Sequence, residues 1–194
     1  MKKTLALIFA ILMIMSCFTA CGGENTEGGI LIPQEDLTDV KYGSFEKFTA
    51  IDLSGKKVTE DIFKDKKLTM INIWATFCRP CIGEMPDLEL ISQEYADKDF
   101  QIIGIVCDVN YVADGYDKDL YESALSIVDM TGVTYRNLLP SESLDIIKLG
   151  EVYSVPETLF VNDKGEIVGT NYIGSRSYEN WKTVIDSVLE SMDK

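Results

Sequence analysis

The chain has 194 residues, a hydrophobic fraction of 46% and a formal net charge of −14. This acidic balance argues against a nucleic acid partner, whose affinity comes from clustered Lys and Arg, and against adsorption to anionic lipid. The sequence contains no histidine, which excludes Ser-His-Asp and Cys-His nucleophiles and His-ligated zinc, copper or haem. Catalysis must therefore depend on Cys, Asp, Glu, Lys, Tyr or backbone groups.

The N-terminus is typical of an export signal. Lys2 and Lys3 precede an almost unbroken apolar stretch over 5–15, which is too short to span a membrane comfortably. We interpret residues 1–20 as a signal peptide. Its removal takes away both lysines and leaves a mature chain with a net charge of about −16, so we expect a solvated acidic surface.

The residues around Cys21 resemble the lipobox of bacterial lipoproteins, in which the signal is cut before a cysteine that is then diacylated. Phe18-Thr19-Ala20 precede Cys21 and a glycine pair follows it, although Phe18 stands where that motif usually has an aliphatic residue. The resemblance implies lipidation of Cys21. Cys17 is a second candidate, and an ordinary secretory signal with incidental cysteines is the alternative. A lipid at this position anchors a chain to a membrane and does not make it span.

Two regions follow the signal. Residues 21–43 begin with a stretch rich in Gly and Glu, and we predict that they form a flexible tether after the lipidated cysteine. Residues 44–194 have the size of one domain, which can bury enough apolar surface to fold without disulfide cross-links. The three cysteines in this region are too few for a disulfide scaffold.

Hydrophobic periodicity in the domain predicts strands that alternate with helices. In chain order, we predict a hairpin around Ser54-Gly55, a strand over 68–75, a helix over 79–95 kinked at Pro86, a strand over 100–106, a helix over 120–130 capped by Asp117, a short strand over 135–139, a short helix over 143–149, a hairpin joining 158–161 to 167–169, and a helix over 178–192. This order predicts an α/β fold with a sheet that is covered on both faces.

The segment Cys78-Arg79-Pro80-Cys81 carries the most specific chemical signal. It lies between a buried strand pattern and a helical pattern, and two thiols three positions apart at a helix start can close a small disulfide. The motif alone leaves a redox centre, a structural disulfide and half of a metal site open. A structural zinc needs two more soft ligands, and only Cys107 remains.

The stretch from Trp74 to Pro86 resembles the active-site segment of the thioredoxin superfamily, specifically its exported TlpA/ResA-like thiol–disulfide oxidoreductases. Trp74-Ala75-Thr76-Phe77 leads into the CxxC, Glu84-Met85-Pro86 follows it, and Val155-Pro156 matches the cis-proline loop. The resemblance covers 45–189 and implies a thioredoxin-like three-layer α/β/α fold with a mixed central sheet and an N-terminal β extension. It also implies a cis Pro156, with the backbone of Val155 free to bind an extended segment of a substrate protein.

Within this resemblance, we predict a redox-active Cys78–Cys81 disulfide with Cys78 as the attacking thiolate. The helix start presents unsatisfied N–H groups and the positive end of the dipole, and Arg79 adds a cation. We therefore expect the pKa of Cys78 to lie below the ~8.5 of a free thiol. Cys81 then resolves the mixed disulfide by attacking Cys78. Arg79 and Pro80 support the site, and Trp74 packs beside it without reacting.

Asn72 and Glu84 distinguish the subfamily. Ordinary thioredoxins carry a buried Asp at the position of Asn72, which cannot titrate and can only hydrogen-bond. TlpA/ResA-like members commonly have Asn there and a Glu at the position of Glu84, which implies that Glu84 exchanges a proton with the second thiol. The alternative for Glu84 is a solvated carboxylate that complements the helix dipole. We interpret Cys107 as a small buried hydrophobe; a third redox thiol is the alternative.

We therefore expect a membrane-tethered, extracytoplasmic disulfide reductase that a membrane thiol electron donor recharges. Apocytochrome c, exported methionine sulfoxide reductases and mispaired disulfides are the substrate classes that the resemblance implies. We expect no metal site and no cofactor besides the disulfide. A disulfide-forming oxidase, a thiol peroxidase and a non-redox binding or assembly lipoprotein are the alternatives. The Arg-Pro pair, which replaces the Pro-His of strongly oxidising relatives, favours reduction.

Overall fold

A computed structural model of the protein describes residues 32–112 and 115–193. In chain order, they form β1 (Thr49–Ile51), β2 (Lys57–Thr59), β3 (Leu68–Trp74), α1 (Arg79–Glu94), β4 (Phe100–Val106), β5 (Tyr111–Val112), β6 (Gly115–Tyr116), α2 (Lys118–Thr131), β7 (Arg136–Leu138), α3 (Glu142–Ile147), β8 (Glu157–Val161), β9 (Ile167–Ile173) and α4 (Tyr178–Met192). Short 3-10 turns lie at Glu60–Phe63, Ala96–Lys98 and Leu149–Glu151.

The proposed signal peptide and the candidate lipidation sites Cys17 and Cys21 lie outside the described residues. Within residues 32–112 and 115–193, no helix combines the length and the apolar character needed to cross a membrane.

The central sheet is mixed and has the strand order β7-β4-β3-β8-β9. β3 lies at its centre, parallel to β4 on one side and antiparallel to β8 on the other. All seven residues of β3 are buried, as the continuous apolar run predicts for a strand that is covered on both faces. Because β3, β4 and β7 are parallel, their C-terminal ends share one edge of the sheet, and β8 begins at that same edge.

Each face of the sheet buries its own apolar cluster. On one face, α1, α2 and α4 contribute residues such as Met85, Ala124 and Trp181. On the other face, α3 and the N-terminal hairpin β1–β2 cover a cluster that includes Phe48 and Leu144. The predicted thioredoxin-like α/β/α fold with its N-terminal β extension is therefore confirmed.

Local signals explain where the helices begin and end. Asp117 caps α2 as predicted, since its carboxylate accepts the N–H of Leu120 at 3.0 Å. Gly132 ends the helix in the left-handed conformation that glycine adopts without strain. α1 extends through Pro86 as one helix. The predicted helix over 143–149 is divided into α3 and the 3-10 turn Leu149–Glu151.

The segment before β1 contacts the domain, although we expect residues 21–43 to act as a tether. Val40 packs against the apolar cluster under α3. The carboxylate oxygens of Glu35 accept the N–H groups of Glu142 and Ser143 at 2.9 Å each. The Tyr42 hydroxyl donates to the Glu151 carboxylate at 2.5 Å. The N–H of Gly43 donates to the carbonyl of Ile147 at 3.0 Å. The described end of this segment thus lies along α3 and the turn that follows it.

Candidate active site

The CxxC lies where β3 ends and α1 begins. Cys78 is the N-cap of α1, and its Sγ accepts the N–H of Cys81 at 3.2 Å. Cys78 and Cys81 form a disulfide with a Cα–Cα distance of 5.3 Å. Cys78 is 5% exposed and Cys81 is fully buried, so an incoming thiolate or disulfide meets Cys78 first. The N–H group that faces Cys78 Sγ also favours its thiolate once the disulfide opens.

Asp108 fixes the loop that leads to the disulfide. Its two carboxylate oxygens accept the N–H of Thr76 at 3.0 Å each, and one of them accepts the Thr76 hydroxyl at 2.6 Å. Asp108 follows the C-terminal end of β4, which neighbours the end of β3. The Thr76–Asp108 contact therefore holds the chain two residues before Cys78.

Two predicted support residues lie on the surface. Arg79 and Pro80 occupy the first turn of α1 and are exposed. Phe77, just before Cys78, is 75% exposed. A large apolar side chain therefore lies on the surface directly beside the disulfide.

The peptide bond between Val155 and Pro156 is cis, as the resemblance implies. Glu157 begins β8 opposite Ile73 of β3, so the Val155-Pro156 loop lies at the sheet edge that carries the CxxC. Pro156 is buried and Val155 is partly buried. The carbonyl of Pro156 accepts the N–H of Gly174 at 2.9 Å, which joins the loop to the end of β9.

Glu84 is 3% exposed, a burial that does not fit the alternative of a solvated carboxylate. Its Oε1 accepts Asn72 Nδ2 at 3.1 Å, and its Oε2 accepts the N–H of Arg176 at 3.0 Å and Trp181 Nε1 at 3.2 Å. Burial raises the pKa of Glu84, while these three donors and the charge of Arg176 oppose the rise. The result is a buried carboxyl group, one helical turn after Cys81, whose proton is held more tightly than usual.

Asn72 orients Glu84 from β3. Its Nδ2 donates to Glu84 and also to Thr158 Oγ1, at 3.1 Å each. Its Oδ1 is buried and has no hydrogen-bond partner among the described residues. An acceptor of this kind can receive a proton donor in another chemical state of the site, such as a reduced thiol or a protonated carboxyl group.

Trp74 packs beneath the site and does not reach the surface. It is fully buried, and its Nε1 donates to Asn137 Oδ1 at 2.9 Å. Gly104 makes this contact possible, because a Cβ at that position would lie 1.9 Å from Asn137 Oδ1.

Cys107 is a free, partly buried thiol whose pKa is raised to about 11 by burial and by Asp108. Such a thiol is mostly protonated at neutral pH and is a poor nucleophile.

Sequence reasoning did not find Arg176, Trp181 or Thr158. Arg176 and Trp181 are 92 and 97 residues from Glu84 along the chain, and nothing in their local pattern indicates that contact. One signal was present: a buried Trp usually finds an acceptor for its indole N–H. Trp181 is fully buried on α4, and its acceptor is the carboxylate that the sequence had singled out.

Comparison with known proteins is consistent with this geometry. The model of the family described as Redoxin matches residues 37–185. The thioredoxin-like protein YneN of Bacillus subtilis is 29% identical over 140 residues, covering 72% of this chain and 75% of that protein. The thiol–disulfide oxidoreductase ResA of Bacillus thuringiensis is 25% identical over 169 residues, covering 87% and 88%.

Among solved structures, a thiol:disulfide interchange protein of the thioredoxin family from Chlorobium tepidum superimposes with a TM-score of 0.60 at 20% identity. The match covers 78% of this chain and 99% of that one, and it shows the fold. The match to the Redoxin model covers most of the chain, and the Cys78–Cys81 pair lies within it. The chain belongs to the Redoxin family and is a thiol–disulfide oxidoreductase.

Proposed function

We propose that this protein is a disulfide reductase that is tethered to the outer face of a bacterial cell membrane and acts on exported proteins. The observation that carries the proposal is the pairing of the Cys78–Cys81 disulfide at the start of α1 with the buried carboxyl group of Glu84 one turn later. The first supplies a thiol pair for exchange, and the second supplies a group that can hold the proton of the inner thiol.

The reaction begins with the reduced pair. The Cys78 thiolate attacks one sulfur of a substrate disulfide, the substrate S–S bond breaks, and the first substrate sulfur leaves as a thiolate that takes up a proton from solvent. Cys81 then gives its proton to Glu84, and the Cys81 thiolate attacks Cys78 Sγ. The bond between Cys78 and the substrate breaks, and the second substrate sulfur leaves and takes up a proton. The substrate is reduced to two thiols, and the enzyme is oxidised to the Cys78–Cys81 disulfide.

A dithiol donor must then reduce the enzyme again. In the proposal, this donor is a membrane thiol protein, and a lipid on Cys21 holds the enzyme beside it. Relatives named thiol–disulfide oxidoreductase and thiol:disulfide interchange protein support disulfides as the substrates. The resemblance of the sequence to TlpA/ResA-like proteins suggests apocytochrome c, exported methionine sulfoxide reductases or mispaired disulfides.

Exposed apolar residues support a protein substrate. Phe77 precedes Cys78, and Tyr153, which is 91% exposed, lies two residues before Val155. An extended substrate segment that pairs with the backbone of Val155 passes the disulfide at the same sheet edge. Small-molecule disulfides use little of this surface.

The test is to trap the mixed disulfide. Cys81→Ala removes the resolving thiol, so substrate proteins should remain bound to Cys78 through a bond that dithiothreitol releases, and mass spectrometry then identifies them. Cys78→Ser is the matched control and should trap none.

The direction of electron flow is tested by equilibrating the purified protein with glutathione buffers. A reductase should stay oxidised until the buffer is strongly reducing, whereas a potential well above that of glutathione would overturn the reductive direction.

A further inference from the structure

Arg176 lies between β9 and α4, close to the site but outside the CxxC motif. It is partly buried, and its guanidinium carbon lies 5.0 Å from the ring centroids of Tyr172 and Trp181. These cation–π contacts hold the charge in one place. Its main chain and its side chain bind different partners, and the two sets of partners lead to different parts of the active site.

The side chain of Arg176 leads to the Val155-Pro156 loop, which is called the docking loop because the proposed function places an extended substrate segment there. Arg176 Nη1 donates to the carbonyl of Gly174 at 2.8 Å. The N–H of the same glycine donates to the carbonyl of Pro156 at 2.9 Å. Gly174 has a φ of +84°, a conformation that only glycine adopts readily. The guanidinium thus holds Gly174, and Gly174 holds the residue that follows Val155.

The main chain leads to Glu84. The N–H of Arg176 donates to Glu84 Oε2 at 3.0 Å, and the same oxygen accepts Trp181 Nε1 at 3.2 Å. The guanidinium therefore packs on the indole whose N–H binds this carboxylate. The charge of Arg176 also lowers the pKa of Glu84 against the effect of burial.

We infer that Arg176 is a positioning residue that couples the Val155-Pro156 docking loop to the Glu84 carboxylate, so that docking of an extended substrate and proton transfer from Cys81 depend on each other. The inference rests on the proposed function, because it requires a peptide at Val155 and proton transfer to Glu84. It assigns two separable roles to one side chain: the charge lowers the proton affinity of Glu84, and the Nη1 hydrogen bond to the Gly174 carbonyl holds the docking loop.

Two variants separate these roles. Arg176→Gln removes both the charge and the guanidinium, whereas Arg176→Lys keeps the charge and loses the planar donor. Lys164→Gln, in the exposed β8–β9 turn, removes one positive charge at the opposite sheet edge and is the control. The substrate is a disulfide-linked peptide pair that carries a fluorophore and a quencher, with dithiothreitol as the reductant, and kcat and KM are measured against pH.

Arg176→Gln should move the acid limb of the pH profile to higher pH and raise KM about tenfold, the effect of losing one charge-assisted hydrogen bond. Arg176→Lys should restore the acid limb but leave KM high. Equal kcat losses at every pH with unchanged KM would indicate a merely structural role and would overturn the inference, as would variants that behave like Lys164→Gln.

A second measurement does not depend on turnover. NMR titration of the Glu84 carboxyl carbon in the oxidised protein should show a higher pKa in Arg176→Gln than in the wild type, and a pKa close to that of the wild type in Arg176→Lys. An unchanged pKa in Arg176→Gln overturns the coupling. If wild-type turnover persists in Cys78→Ser, the exchange function fails instead, so the two failures are distinguishable.

Discussion

Asn72 Nδ2 donates to Glu84 Oε1 at 3.1 Å, which joins the centre of β3 to the first turns of α1 beneath the disulfide. The carboxylate therefore has a fixed position and a fixed orientation before any substrate arrives.

Glu84→Gln should slow resolution of the mixed disulfide about 100-fold, because an amide cannot accept the proton of Cys81. The amide is close in shape to the carboxylate, and its NH₂ group can donate to Asn72 Oδ1 once the Asn72 amide turns by 180°, so the fold should persist. Stopped-flow measurement of peptide release from Cys78 checks this, with Glu190→Gln on the exposed face of α4 as the control. An unchanged rate would exclude Glu84 as the proton acceptor.

Glu84 should also make stability depend on pH. Its pKa is raised in the folded protein by burial, so the stability that it contributes is present below the unfolded pKa and is lost as pH rises through the folded pKa. Glu84→Gln cannot titrate, and its advantage over the wild type should therefore grow with pH. Urea unfolding of the oxidised proteins between pH 4 and pH 9 measures this difference, and a constant difference would contradict the prediction.

Asn72→Asp should destabilise the protein by about 1–3 kcal/mol near pH 7, because it removes the donor to Glu84 and Thr158 and sets a second carboxyl group beside Glu84. The two carboxyl groups should share a proton, so the loss should shrink as pH falls. Asn180→Asp on the surface adds the same charge without these contacts. Equal losses for the two variants would show that Asn72 does not interact with Glu84 in this way.

Gly104→Ala should cost roughly 1–3 kcal/mol or more, since the added Cβ overlaps Asn137 Oδ1 and displaces the acceptor of Trp74 Nε1. Gly83→Ala is the matched control: no heavy atom lies within 4 Å of its added Cβ, and alanine favours a helix by up to about 1 kcal/mol. Urea unfolding of both variants should give opposite signs. A neutral Gly104→Ala would mean that Asn137 moves away freely.

Lys148→Met should destabilise by about 3–5 kcal/mol, because it leaves the buried carboxylate of Glu157 without its cation. The two charged groups are 2.6 Å apart, and both side chains are largely buried. Lys118→Met breaks an exposed pair with Glu122, for which losses under about 1 kcal/mol are usual. Similar losses in the two variants would indicate that burial of the Lys148–Glu157 pair adds nothing.

The sequence predicted the parts of this structure that depend on local pattern. The apolar run before the CxxC predicted β3, and Asp117 predicted the start of α2, because both signals lie in residues that are neighbours in the sequence. The strands β5 and β6 were not predicted, because strands of two residues carry no periodic signal.

Long-range contacts account for what was missed in the site. The resemblance placed Asn72 and Glu84 at the centre, but sequence reasoning could not decide whether Glu84 was solvated. That depends on how α4 and the turn before it close over α1, which brings in Trp181 and Arg176 from distant positions. The sequence predicted the helix over 178–192, but not the contact of its Trp181 with Glu84.

Glu35 and Gly43 bind the two ends of α3, and this attachment changes the geometry of the proposed tether. The stretch from Glu35 to Gly43 can span about 30 Å when extended, but its contacts hold it along the domain. In the membrane-anchored form proposed above, residues 35–43 therefore do not extend the proposed tether, and the distance that the disulfide can sample from the bilayer is shorter by their length.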